Sequence, residues 1–284
     1  MKHILLPTDF SKNADNAISY AVQLYKNEVC RFYILHTDIP ISSGAEDLVD
    51  SYSILTLQEI QKEAAKQKLK KIEDQLKKKF NNANHSFIPM ASFNLFISEM
   101  RRVIKENNID LIIMGTKGAT GAKEIFIGTN TMQTIKKLKC PVIAIPSDFK
   151  YEKPNEVLFP TNYEAIKSNK YLPLIKKICK EHKSKLHILN VYQDIPLKEK
   201  QEKIETFLDT YFKDTHHFFH SSEKHDLIEA IEDFEIENRI NFLIMIQNHH
   251  NFFENLLFKP IVNQMVYHTN IPFLVIPSNE LIKN

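Results

Sequence analysis

Four of the five glycines in the chain fall within fourteen residues: Gly115, Gly118, Gly121 and Gly128. They follow an apolar run in LIIMGTKGATGAKEIFIGTNT, and Gly44 is the only other glycine. A chain this sparing with glycine places it where the backbone must take positive φ or where something bulky must approach the main chain. An apolar strand, a glycine-rich loop and a helix start together make an arrangement that cradles phosphate. Backbone N–H groups point at the anion, and the helix N-terminus adds partial positive charge. The spacing Gly115-x2-Gly118-x9-Gly128-Thr129 is neither GxxxxGK[ST] nor GxGxxG, so the mechanisms tied to those motifs are not indicated. Gly115 and Gly118 would let the chain leave the strand with a ribose or phosphate lying against it. Gly128 and Thr129 would present bare backbone and a hydroxyl at the helix start, and Asn130 and Thr131 extend that polar turn. Asp9, ending the first apolar run, can accept hydrogen bonds from a sugar hydroxyl or a base amine. Each feature also has a purely structural reading. The glycines could form a tight turn, Asp9 an Asx turn before the first helix, and Thr129 a helix N-cap. Lys117 and Lys123 could face phosphate or solvent.

Other chemistry is harder to place. No nucleophile has an obvious base and no paired carboxylates flank the loop, so no catalytic residue is assigned. Nine of the twelve histidines follow residue 180. On a strand near 214–220, His216 and His220 would share one face with Phe218 between them. Imidazoles bind zinc, but no carboxylate or cysteine falls at a matching spacing, and no metal site is assigned. Phe218, Phe219, Phe252 and Phe253 are read as core or interface packing. Cys30, Cys140 and Cys179 are far apart in apolar surroundings and read as buried, reduced thiols.

The elements that must position the glycine loop recur. HILLPTDFS (3–11) is matched by EVLFPTNYE (156–164), YILHTDIP (33–40) by HILNVYQDIP (187–196), DLIIMGTKG (110–118) by NFLIMIQNH (241–249), and KCPVIAIPSD (139–148) by NIPFLVIPSN (270–279). Four correspondences in one order argue for tandem duplication. The expected domains are 1–150 and 151–284, joined through the polar segment SDFKYEKP. Apolar runs alternate with segments of helical period in both halves, which implies βαβ units and a parallel sheet covered on both faces. Strands are expected near 2–6, 31–37, 86–91, 110–114 and 142–145. Ser11 would cap a helix burying Ala14, Ile18, Ala21, Val22 and Tyr25. A second helix near 57–82 would turn Ile60, Ala64, Leu69, Ile72, Leu76 and Phe80 inward, with KKIEDQLKKK as a solvated face. A third helix is expected near 95–107 and a fourth from Thr129. Residues 38–56 read as an irregular, mobile loop. Two doubly wound, five-stranded domains result, with ligands at the carboxyl edge near a topological switch point.

The glycine spacing, with Pro7-Thr8-Asp9 at the first strand's end, resembles the ATP-binding branch of the universal stress protein family, and the whole chain resembles a tandem pair of such domains. The resemblance implies strand order 3-2-1-4-5 in an adenine nucleotide alpha hydrolase-like fold. It implies Thr8, Asp9 and Thr37 facing the nucleoside, with Thr37 replacing a commoner apolar residue. Met114, Gly115, Lys117 and Gly118 would line the ribose and first phosphate, and Gly128, Thr129, Asn130 and Thr131 would hold the phosphates. ATP or another adenine nucleotide is the implied ligand, with Mg²⁺ on its phosphate oxygens. The implied role is regulatory, through an unidentified protein partner, with at most weak ATP hydrolysis; a slow ATP hydrolase or nucleotidyl-transfer enzyme and a scaffold that binds no nucleotide are the alternatives. The resemblance also implies an intrachain pseudo-dimer and homodimers. The second half departs from the motif: Asn162 matches Asp9, Gln247 matches Gly115, His249 or His250 matches Gly118, and Gly128-Thr129 falls on Lys259-Pro260 or Pro260-Ile261. Nucleotide binding is therefore expected in the first half alone.

Composition narrows the field. Thirty-seven basic residues are matched by 35 acidic ones, for a net charge of +2, so neither nucleic acid nor an anionic membrane is indicated as a partner. With 43% hydrophobic and 25% charged residues, the chain reads as globular. The opening MKHILLPTDF has too short an apolar run for a signal peptide, and no run suffices for a membrane span. A cytoplasmic location is expected.

Overall fold

A computed structural model describes residues 1–39, 48–116, 128–163, 169–191, 199–224, 226–247 and 270–277. The chain divides into two units, Met1–Tyr151 and Glu152–Asn284. In the first unit the elements run β1 (Lys2–Pro7), α1 (Lys12–Leu24), β2 (Cys30–Asp38), α2 (Leu48–Phe80), β3 (His85–Phe93), α3 (Phe96–Asn107), β4 (Leu111–Gly115), α4 (Thr129–Lys137) and β5 (Val142–Ile145). The strands pair in parallel in the order β3-β2-β1-β4-β5. Chain order reverses between β1 and β4, so their carboxyl ends part and leave a crevice there. Ile4, Leu5, Leu6, Leu111, Ile112 and Ile113 are wholly buried. Continuous apolar runs are what a parallel strand covered on both faces requires. Right-handed crossovers place α1 and α2 on one face and α3 and α4 on the other; α3 touches α4, while α1 packs on β4 and β5.

Local chemistry sets the boundaries. Ser11 caps α1, its hydroxyl accepting the Ala14 amide at 3.3 Å. All five apolar residues expected on that helix face are buried. Gly115 accommodates α1 at close quarters: a Cβ there would lie 3.2 Å from the Asn13 carbonyl oxygen. The α3 helix ends at Asn108, in the left-handed conformation (φ 48°) that asparagine tolerates well.

The second helix departs from expectation. It begins at Leu48, so the segment read as an irregular loop is helical from that residue, and 40–47 lie outside the described residues. Its inward stripe is Ala65, Leu69 and Leu76, with Ile72 half-buried. Ala64 is exposed and Ile60 is 60% exposed, against the expectation that both face inward. The 65-69-72-76 spacing reaches back only to Gln61 and Lys62, so the apolar face ends where the helix outruns the sheet. Glu73 is buried on this helix between Lys70 (3.1 Å) and Lys77 (2.6 Å). Burial alone would raise its pKa, but the two ammonium groups outweigh it and hold the carboxyl below its usual range.

The second unit has β6 (Glu156–Pro160), α5 (Leu172–His182), β7 (Lys185–Val191), α6 (Glu199–Phe212), β8 (His216–Ser222), α7 (Leu227–Glu237), β9 (Phe242–Gln247) and β10 (Phe273–Pro277). Its parallel order β8-β7-β6-β9-β10 repeats the pattern of the first unit. So do its fixing hydrogen bonds. The Thr8 amide donates to Leu35 at 2.8 Å, and that of Thr161 to Leu189 at 2.9 Å. The Thr8 hydroxyl accepts the Phe10 amide at 3.0 Å, and that of Thr161 the Tyr163 amide at 2.9 Å. Asn16 donates to the Pro146 carbonyl at 3.3 Å, and Asn169 to that of Pro277 at 3.1 Å. Phe10 (φ 63°) and Tyr163 (φ 59°) are both left-handed, at a cost of about 1–2 kcal/mol for each side chain.

Candidate functional site

A cleft of about 760 Å³ opens at the carboxyl edge of the first sheet, where β1 and β4 diverge. Its lining includes Thr8, Asp9, Thr37, Met114, Gly115, Gly128, Thr129, Asn130 and Thr131. Nine of the eleven residues singled out in the sequence thus meet around one crevice. Lys117 and Gly118 lie outside the described residues, as do Gly121 and Lys123.

The strand ends form the floor. The Thr8 hydroxyl is engaged by Phe10 in the turn, and the Thr8 carbonyl meets His36 Nδ1 at 2.8 Å. His36 Nε2 lies 3.2 Å from an Asp38 carboxylate oxygen, and its ring packs 4.2 Å from that of Phe10. The exposed Asp9 accepts the Ser11 amide through Oδ1 at 3.0 Å. The Asx-turn reading is therefore realised, and the same carboxylate borders the cleft.

The wall is the start of α4. Gly128 is its N-cap, with φ −58° and ψ 150°, and no side chain caps the helix. That backbone conformation is open to any L-residue, so the dihedrals do not demand glycine there. Its amide donates to Thr116 O at 2.5 Å and its carbonyl accepts from Met132 at 3.0 Å. The first amides of any helix lack intrahelical partners, and here the residues that carry them line the cleft, with no acidic residue in the first turn. Thr131 has a structural bond of its own. Its hydroxyl is buried and donates to Gly115 O at 2.8 Å, so it fastens α4 to β4 and leaves only its amide for an anion. Gly115 likewise has a structural reason, since the group lying closest to it is α1.

Sequence reasoning missed part of the lining. Leu95, at the N-cap of α3, and Phe96, Ile97, Ser98 and Arg101 of that helix line the cleft, as do His36, Gln133 and Lys137. Thr129, Asn130, Gln133 and Lys137 form a polar stripe at helical spacing, which was legible. Which of the adjacent Arg101 and Arg102 faces the cleft was not.

With this geometry in place, comparison with known proteins adds the lineage. The family model described as "Universal stress protein family" matches residues 1–146. The chain belongs to the universal stress protein family. Among curated universal stress proteins, MJ0531 of Methanocaldococcus jannaschii is 28% identical over 147 residues, covering 51% of this chain and 81% of that one. MJ0577 of the same organism is 27% identical over 156 residues, covering 51% and 94%. A crystal structure of a universal stress protein from Archaeoglobus fulgidus covers 97% of this chain and 98% of its own, with TM-score 0.67 and 17% identity. That likeness concerns the fold over both units.

In the second unit of this universal stress protein, Asn162 stands at the strand end, its carbonyl accepting from Gln201 at 3.0 Å. Gln247 closes β9. His249, His250, Lys259, Pro260 and Ile261 lie outside the described residues, as do His225, Phe252 and Phe253. Phe218 is 46% exposed and stacks on His187 at 5.7 Å, so of the core and interface readings the core one does not hold for it. Among the described residues no group of three or more His, Cys, Asp or Glu could hold a metal ion. No described helix is long and apolar enough to cross a membrane.

His187 and His220 do form a chain with Glu156. His187 Nε2 lies 2.8 Å from Glu156 Oε2, and His187 Nδ1 lies 3.0 Å from His220 Nε2. An ionised carboxylate only accepts, so His187 donates to Glu156 and, when neutral, accepts from His220. Burial, then the neighbouring His187, holds the His220 pKa below its usual value. The folded pKa thus lies under the unfolded one near 6.5, and protonation favours unfolding. Stability from this group is present at neutral pH and is lost as pH falls below about 6.5 toward the folded pKa. Urea unfolding at pH 7.5 and 5.5 will show a lower midpoint at 5.5. His220→Gln, which keeps a donor for His187, will flatten that difference; an unchanged pH difference in the variant would remove His220 as its source.

Proposed function

We propose that the first unit binds an adenine nucleotide, ATP foremost, and that occupancy regulates the protein's contacts in a stress response. One observation carries this reading: the α4 N-terminus begins at a glycine with no capping side chain and opens into the cleft at the switch point beside Asp9. A space of about 760 Å³ falls within the range of small-molecule sites. Asp9 would accept from the ribose, the β1 and β2 ends would carry the base, and the α4 amides would take the phosphates. Lys117 and Gly118 are proposed to complete the phosphate side from the intervening loop. Mg²⁺ would be held by phosphate oxygens and water, in keeping with its oxygen preference.

The recurring strand order and turn hydrogen bonds support reading the second unit as a duplicate that keeps the fold. With Asn162 in place of Asp9 and Gln247 in place of Gly115, one nucleotide per chain is expected. Calorimetric titration of the full chain with MgATP tests the reading and should give a stoichiometry near one. Asp9→Ala should weaken binding by about tenfold, as loss of one charged hydrogen bond implies. A wild-type chain that takes up no adenine nucleotide would end the proposal.

A further inference from the structure

The cleft does not stop at the first turn of α4. Thr129, Asn130, Gln133 and Lys137 line it along one stripe, and Ile97, Ser98 and Arg101 line it from α3. It therefore continues as a furrow between the two helices. At 1.5 Å per residue, Lys137 lies about 12 Å along α4 from Thr129. A single phosphate at the α4 amides would leave that furrow empty, whereas a di- or triphosphate would extend into it.

The far end of the furrow is cationic. Arg102 is engaged by Glu99, at 2.6 Å and 3.1 Å, and by Glu106. Arg101, one residue earlier, has no ion pair with any described carboxylate and projects into the cleft. The described partner of Lys137 Nζ is the neutral amide of Gln133, at 3.4 Å. Among the described lining residues Asp9 is the one carboxylate, at the opposite end. The cleft is thus polarised, with an acceptor at the sugar end and two cations beyond the phosphate-binding turn.

We infer that Arg101 and Lys137 select the ligand by phosphate number, favouring linear di- and triphosphates over monophosphates. The inference rests on the nucleotide reading of the cleft. A guanidinium donates to two oxygens at once and an ammonium acts as a point charge. Both would engage the β- and γ-phosphates, and neither would reach the single phosphate of AMP.

The test is calorimetric titration of the full-length chain with ATP, ADP and AMP, using wild type, Arg101→Gln, Lys137→Gln, the double variant and Lys136→Gln as control. Exposed substitutions of this kind typically leave stability within about 0.5 kcal/mol, and circular dichroism with thermal melting verifies folding. Wild type should bind ATP at least tenfold more tightly than AMP. The double variant should lose roughly 10- to 100-fold in ATP affinity, the range expected for charged hydrogen bonds. Its AMP affinity should change by less than about threefold, bringing the ratio toward one, and its ATP binding should depend less on salt. A double variant that keeps the wild-type ATP-to-AMP ratio overturns the inference and leaves nucleotide binding intact. A wild type that binds none of the three overturns both.

Discussion

Replacing Gly128 with aspartate should weaken MgATP binding on the order of 100-fold while leaving the melting temperature of the protein unchanged or slightly higher. The two effects share one cause. The N-cap dihedrals of Gly128 are those an ordinary residue adopts, and no side chain caps α4. Aspartate is among the best N-cap residues, and its carboxylate would accept the amides of the second and third helical residues. It would also complement the helix dipole. The groups proposed to hold phosphate would then be occupied by an internal anion, and a second anion would be repelled. Gly128→Ala offers no such carboxylate and should reduce affinity far less, at a modest cost in helix stability. Titration calorimetry and thermal melting of the three proteins check both arms. If Gly128→Asp bound nucleotide like wild type, the phosphates could not lie on this turn.

Gly115→Val should act in the opposite way, lowering stability by about 3 kcal/mol or more, with Gly115→Ala costing about 1–3 kcal/mol. A Cβ at 115 would sit 3.2 Å from the Asn13 carbonyl oxygen and 3.4 Å from its carbonyl carbon. Both are main-chain atoms at the start of α1, so no rotamer change relieves the contact. The helix or the strand must shift instead, and with it the Thr131 hydrogen bond that joins α4 to Gly115. At roughly 2–4 °C per kcal/mol, the valine variant should melt several degrees lower, and urea unfolding should give the matching midpoint shift. A valine variant melting within a degree of wild type would show that the packing between α1 and β4 yields freely. The expected results tell the two glycines apart: one keeps the structure closed, the other keeps the crevice open.

Much of this architecture was legible from residue patterns because the pattern and the burial have the same cause. The short apolar runs around Ile4, Phe32, Ile112 and Ile143 are strands buried on both faces, and such strands read as continuous apolar segments. Ser11 announces α1 through its hydroxyl. The second helix was harder. Its start at Leu48 comes directly after Asp47, a residue type that can cap a helix, but that signal lies in a stretch read as loop, and Ile60 continues an apolar series beyond the point where any strand lies beneath it. Periodicity reports which residues share a helix face, not where the sheet ends. The cleft was legible where its parts lie at strand ends and loop glycines. It was hidden where α3 contributes, because adjacent arginines on one helix point in directions fixed by packing. The double duty of Thr131 was hidden for a similar reason: its partner, the Gly115 carbonyl, lies sixteen residues away.

The bent main chain after β1 and β6 bears on how such molecules diverge. An aromatic residue sits in an unfavourable dihedral region at both corners, yet only the amino-terminal corner has an acidic side chain before it. A conformational burden carried in both places cannot be explained by a guest that only one of them would hold. It belongs to the geometry of turning from sheet to helix, anchored by a threonine hydroxyl each time. If the first unit alone takes up nucleotide, as proposed, shape and recognition are inherited separately here, and one lobe can lose its chemistry without losing its form.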